Sequence, residues 1–430
     1  MTSKKIFKNF GALVFGVCAA ILLAEFISLA WVKIRTGESF YSMPLPKEDE
    51  SNVANNKIPN LIHPYFGMVR NSHRSVKAIV FPDRIKTMVD AESAYPDWIN
   101  LKPNNHGFWS EVDYPYNKTK NDYIVGIFGG SVAQWLAVQG KEYLEKKLTE
   151  LPGLEDKKII VLNFASGGYK QPQQLLALSY FVSLGQKFDL VINLDGFNEV
   201  ALPFSANLPR NISVSLPRKY PGGLAALTSI ASPQTVAWLN DIYTLERRID
   251  RLSKWSQQRV SAFAHIVTSR IALLFKGIRL KRLDNSPKNT SEDSAFFVLK
   301  PSFDAGDVDA AKEEMIRIWK NASIAMHSIT NQVGARYVHI LQPNQYFSEK
   351  KFSSSELDIA IDENHGYGKA VKLFYPALLA GSKSLSKSGV NFLDFTGIFD
   401  EEAKPTFSDS CCHYNTLGNN LLIDNLIKRL

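Results

Sequence analysis

Ser131 and His413 are the residues with which this chain could supply a nucleophile and a base. Ser131 follows Gly129 and Gly130 at the exit of the apolar run Tyr123–Phe128. A hydroxyl on a strand-to-helix turn is exposed, and the helix start behind it offers N–H groups and positive dipole to a developing anion. His413 ends the segment Asp409-Ser410-Cys411-Cys412-His413, just before a final helical pattern. An imidazole with a carboxylate a few residues upstream can serve as a base. Between these ends lie a Gly167-Gly168 turn and Gly196-Phe197-Asn198, each closing an apolar run. Four segments at four strand ends point to one active site.

The elements that must position them alternate. Strands are expected at Tyr123–Phe128, Lys158–Asn163, Asp189–Leu194, Arg336–Gln342 and Asn391–Phe395, each a short β-rich run. Helices are expected after Ser131 and over Gln171–Leu184, Asp307–Gln332, Gly368–Ser386 and Thr416–Leu430. That rhythm implies an α/β fold: about five parallel strands between two helical layers, with ligands gathering at the carboxyl ends of the strands. Pro203 to Pro287 breaks the rhythm, being too long for a simple connection. It carries a helical pattern over about Gln234–Arg282, with Lys and Arg far outnumbering acids between Asp241 and Arg282. The stretch reads either as a basic amphipathic insert leaning on anionic lipid or gating the site, or as a helical cap with a solvated basic face.

The N-terminus addresses location. Residues 10–32 are almost wholly apolar, interrupted by Glu25 and Ser28, and long enough to span a bilayer. Lys4, Lys5 and Lys8 precede them, which places the N-terminus in the cytoplasm and the bulk of the chain outside. The rival is a cleaved signal, because Ser28-Leu29-Ala30 has the small-x-small form of a cleavage site. A net charge of +8 favours anionic surfaces but is too mild to imply nucleic acid. The three cysteines, Cys18, Cys411 and Cys412, cannot build a disulfide framework, and no Cys/His spacing suggests zinc. Cys411 and Cys412 read as free thiols beside the site, with a strained vicinal disulfide as the alternative.

Taken together, Gly129-Gly130-Ser131, Asn163 to Tyr169, Asp195-Gly196-Phe197-Asn198 and Asp409 to His413 resemble the four blocks of the SGNH (GDSL-like) hydrolase superfamily, in the right order. The likeness runs from about Tyr123 to Leu430. It extends to membrane-anchored bacterial members in which a Gly-Phe pair, here Gly107-Phe108, precedes the serine block. The resemblance implies a three-layer αβα, flavodoxin-like sheet. It implies Ser131 as nucleophile, His413 as base and Asp409 as its orienter. The oxyanion donors would be Ser131, Gly168 (with Gly167 as the alternative) and Asn198. Two departures matter. The usual Gly-Asp-Ser is here Gly-Gly-Ser, and Asp409 stands four residues before the His where the family has three. A Ser-His dyad with a backbone orienter therefore stays open.

The expected organisation is a cytoplasmic tail at 1–9, an anchor at 10–32, a linker and N-terminal extension at 33–120, and a hydrolase-like domain at 121–430 with a helical insert at 203–300. The expected activity is an extracytoplasmic serine esterase acting on O-acyl esters of a glycan or lipid-linked substrate. An O-acyltransferase on the same site, or a degenerate glycan-binding envelope protein, is the alternative. No cofactor, metal or nucleic-acid partner is expected. The membrane is met through the anchor and, as a second contact, the basic insert at 241–282.

Overall fold

The computed structural model describes residues 2–42, 60–71, 75–76, 97–218, 233–258, 260–285 and 301–430. Residues 43–59, 72–74 and 77–96 of the expected linker and extension, and 219–232, 259 and 286–300 of the expected insert, lie outside them. The chain divides into two compact units: Met1–Asn52 with Leu224–Lys288, and Val53–Gly223 with Asn289–Leu430.

The larger unit begins with an antiparallel hairpin, β1 (Asn60–His63) and β2 (Gly67–Arg70). Five parallel strands follow: β3 (Asp122–Gly129), β4 (Lys158–Asn163), β5 (Leu190–Asp195), β6 (Arg336–Leu341) and β7 (Asn391–Asp394), in spatial order β4-β3-β5-β6-β7. β4 and β5 read as near-continuous Ile/Val/Leu runs because both faces are covered, and every residue of β5 is buried; the edge strand β7 is only partly so. Helices Gln173–Ser183, Val308–Gln332 and Gly366–Lys387 pack together as one layer; Ser131–Gln139, Lys141–Thr149 and Thr416–Ile427 form the other. Side-chain oxygens stop the fraying of the longer helices. Asp307 accepts from the N–H groups of Asp309 and Ala310, and Asn415 from that of Gly418.

β4 and β5 pair with opposite edges of β3, the first strand of the sheet, so the strand order reverses there, and the carboxyl ends of β3 and β5 form the crevice where such sheets bind ligands. The N-terminal extension does not merely lie beside this domain. Phe66 and Phe108 are fully buried in the main core, and the Tyr114 hydroxyl bonds the Asn163 carbonyl at 2.9 Å.

In the smaller unit, one helix runs from Thr2 to Thr36, and its stretch Phe15–Arg35 is long and apolar enough to cross a membrane. Of the insert expected at 203–300, the described residues of this unit form two helices. Pro203–Arg210 continues the turns that end helix Phe197–Leu202 in the larger unit. The insert proper holds Pro233–Gln257 and Ala262–Asp284, packed against each other. The break has a local cause: Ser261 is extended, and its hydroxyl caps the second helix by accepting from Ala264 N–H.

Candidate active site

β3 ends at Gly129, and the helix behind it starts at Ser131. Both glycines are required by space. A Cβ on Gly129, whose φ is +147°, would lie 2.1 Å from the Leu194 carbonyl oxygen. A Cβ on Gly130 would lie 2.0 Å from Nδ2 of Asn198. The Gly-Gly-Ser variant is thus what lets the amide of Asn198 come up against the serine turn.

Ser131 Oγ lies 2.7 Å from Nε2 of His413, and Nδ1 of the same ring lies 2.6 Å from Oδ2 of Asp409. For the serine hydroxyl to donate to Nε2, the ring proton must sit on Nδ1, where Asp409 accepts it. The one-residue departure in this segment has a physical explanation. Oδ1 of Asp409 accepts from the N–H groups of Cys411, Cys412 and His413, at 3.0, 3.1 and 3.2 Å. The carboxylate therefore closes its own turn with one oxygen and aims the other at the imidazole. The loop is held from below by Glu356, buried, which accepts from Thr406 and Phe407 N–H; Lys350, 3.5 Å from Glu356, donates to the Glu402 and Lys404 carbonyls.

The expected oxyanion donors lie on the turns that follow β3, β4 and β5. Ser131 N–H and Gly168 N–H make no hydrogen bond among the described residues. Asn198 Nδ2 donates to the Tyr169 carbonyl at 2.7 Å, which uses one N–H and leaves the other. Gly168 adopts φ +85°, a conformation that favours glycine. The alternative, Gly167, has its N–H committed to Oε1 of Gln134 at 3.2 Å. Glu199 ties the two donor loops together: it accepts from Gly196 N–H, Gln171 N–H and the Gln174 amide at 2.8, 3.0 and 3.0 Å. Burial, with Asp195 adding to it, pushes the Glu199 carboxyl up to about 8 against the pull of those donors. Burial also lowers Lys170 to about 7, with Glu199 opposing the shift.

Cys411 and Cys412 form no disulfide; their sulfurs lie 3.1 Å apart, and Cys412 Sγ lies 3.9 Å from Nε2 of His413. With His413 they are the group that could hold a metal ion among the described residues. A metal there would compete with Ser131 for the same ring nitrogen.

Arg70, at the end of β2, was not visible to sequence reasoning. Its guanidinium stacks 3.8 Å over the Trp109 ring, and Nη2 donates 3.0 Å to the Gln134 oxygen that also receives Gly167 N–H. No spacing connects a lone arginine in a short strand to motifs that begin at residue 129.

No family model and no curated protein matches the chain. Among solved structures, it is similar to a putative acylhydrolase from Bacteroides fragilis at 8% identity, covering 74% of this chain and 91% of that one, with a TM-score of 0.34. An acetylxylan esterase from Geobacillus stearothermophilus matches at 10% identity over 72% of this chain and 96% of its own, with a TM-score of 0.32. At those TM-scores the likeness carries no weight for activity.

Proposed function

We propose that the protein is a membrane-anchored, extracytoplasmic serine esterase of SGNH type, acting on O-acyl esters of a glycan or lipid-linked substrate. The observation that carries this reading is the unbroken chain of hydrogen bonds from Ser131 through His413 to Asp409. Ser131 Oγ attacks the ester carbonyl while Nε2 of His413 takes its proton. Asp409 stabilises the imidazolium. The oxyanion that forms receives N–H groups from Ser131, Gly168 and Asn198. Collapse expels the alcohol, which takes the proton back from His413 and leaves an acyl group on Ser131. Water, activated by the same imidazole, then releases the acid. A sugar hydroxyl in place of that water would give transfer through the same acyl-enzyme.

Retention of the apolar helix is supported within the smaller unit. Glu25 accepts from the Ser261 hydroxyl at 2.5 Å, from Ala262 N–H at 2.7 Å and from Phe263 N–H at 3.0 Å. A cut near Ala30 would remove Glu25 and strip the first turn of helix Ala262–Asp284 of this partner. Phe263, Val267, Ile271, Leu274 and Ile278 lie exposed at helical spacing along that helix. Such a stripe, beside an apolar anchor and among basic residues, suits the hydrocarbon edge of an anionic leaflet.

The test is labelling of the purified full-length protein by a fluorophosphonate, followed by acetate release from O-acetylated glycans. Labelling and turnover that both vanish in Ser131→Ala are expected. A folded protein that neither labels nor turns over an ester would leave the glycan-binding alternative standing.

A further inference from the structure

A guanidinium largely withdrawn from water normally faces a carboxylate, because desolvating the charge is costly without one. Arg70 departs from that pattern. Among the described residues no acidic side chain pairs with it, and its Nε, sealed from solvent, finds no acceptor. Burial lowers it to about 10, with the nearby Tyr169 hydroxyl opposing the shift. What holds it is a flat ring, Trp109, on one face and a neutral amide, Gln134, at one tip.

Its position explains why this matters. The point where a Cβ on Gly167 would sit lies 3.6 Å from Nη2 of Arg70 and 3.9 Å from Cβ of Ser131. The nucleophile and the unpaired cation therefore border the same glycine-floored space. Gln134 reinforces the arrangement, since one oxygen receives both Arg70 and Gly167 N–H, fixing the cation relative to the loop that carries Gly168. A planar, rigidly stacked fork with an unfilled side is suited to a carboxylate, which it can meet with two parallel bonds.

Resting on the esterase reading, we propose that Arg70 is a specificity-determining residue that docks a carboxylate of the substrate, so that the preferred ester is an anionic one. The carboxylate stands either on the sugar that carries the acyl group, as in an O-acetylated uronate, or at the far end of the acyl group itself, as in a hemisuccinate. Both present the same chemistry to the same fork.

Two matched pairs separate these sources in full-length protein: O-acetylated glucuronate against its methyl ester, and 4-nitrophenyl hemisuccinate against 4-nitrophenyl acetate. In one pair the wild type should prefer the anion, and Arg70→Gln should cost about 20-fold or more in kcat/KM for that anion, the scale of a lost charge-assisted bond. The neutral partner should change less than about threefold, and Arg70→Lys should recover part of the loss, since charge without the fork still attracts an anion. Equal losses for neutral and anionic esters, or no anion preference in either pair, would overturn the subsite. A binding arm keeps this separate from the catalytic reading. Glucuronate, but not glucose, should slow fluorophosphonate labelling of Ser131 and raise Tm, and Arg70→Gln should abolish both effects. Labelling by the probe with no anion effect sinks the subsite and spares the esterase. A charge-dependent Tm shift without labelling does the reverse.

Discussion

Among the described residues, the larger unit holds two Ser–His–Asp arrangements, and they sit in opposite surroundings. At the strand ends, Ser131, His413 and Asp409 are joined at 2.7 and 2.6 Å. In the core, Ser323 Oγ lies 2.8 Å from Nδ1 of His339, whose Nε2 lies 2.8 Å from Oδ1 of Asp195. By residue type and distance the two are equivalent. Their surroundings differ. Ser323 and His339 have no exposed surface and Asp195 has 2%. Ser323 sits in the middle of helix Val308–Gln332 rather than on a glycine turn, and Asp195 is further engaged by Trp319 and Asn193, each at 2.8 Å. The inner trio is a satisfied polar network that fixes β5 and β6 to a helix. The outer trio sits at a strand terminus, and its serine keeps some exposed surface. Composition alone does not separate the two trios; their places in the fold do.

The sharpest way to break this comparison is to remove the hydroxyl from each. Ser131→Ala should lower ester turnover by about 10⁴-fold or more and leave Tm nearly unchanged. Ser323→Ala should keep turnover within about threefold while costing roughly 1–3 kcal/mol of stability in urea unfolding, because His339 loses a buried partner. A Ser323 variant that is folded but inactive would reverse the assignment. The carboxylates follow. Asp409→Asn should cut kcat by about 10²–10⁴-fold, since the amide favours the wrong imidazole tautomer. Asp195→Asn should instead cost roughly 2–4 kcal/mol of folding free energy with modest loss of kcat. An unimpaired Asp409→Asn would restore the dyad with a backbone orienter.

Much of this contrast was legible in the chain, and the illegible part has a common cause. The five strands read correctly to within a residue or two because a sheet covered on both faces demands unbroken β-branched runs. The serine segment stood out by its place after an apolar strand-like run, and the histidine segment by the carboxylate a few residues before a late His. The reach of Asp409 was not legible, because it depends on a turn in which one carboxylate oxygen gathers three N–H groups. Ser323, His339 and Asp195 were invisible as a set, since each reads alone as part of an apolar element. Arg70 and the fold-back of Phe66 and Phe108 into the core are tertiary facts with no local pattern. The split of the insert did carry a signal, a serine preceding the Ala-Phe-Ala start of the second helix.

Asn198 tests whether free donors are what set the outer site apart. Asn198→Ala should lower kcat by about 10²-fold, the scale seen when one oxyanion donor is removed, with KM little changed. Its bond to the Tyr169 carbonyl is also lost, so Tm should be compared with that of Asn198→Asp. The latter keeps the size but puts negative charge where the oxyanion forms. If Asn198→Ala turns over like the wild type, the amide belongs to the loop and not to the reaction.

Glu199 links the two networks, bonding the loops that carry Gly168 and Asn198 while lying near Asp195, and its titration gives the smallest effect. The folded carboxyl is raised to about 8 by burial and by Asp195, above the ordinary value of 4.5. Below pH 4.5 both folded and unfolded chains hold the proton, and the stabilisation is fully present. From there upward the unfolded chain releases the proton first, so stability falls with pH until the folded carboxyl also ionises near 8. Between pH 5 and 6.5 Lys170, lowered to about 7, is largely protonated in both states and contributes little slope. Urea midpoints of the wild type should therefore decline over pH 5 to 6.5, and Glu199→Gln should flatten that decline whatever its absolute stability. The same decline in the variant would assign the slope to other groups. It would also mean that Glu199 is ionised in the fold, held so by the three N–H groups that cross between its two loops.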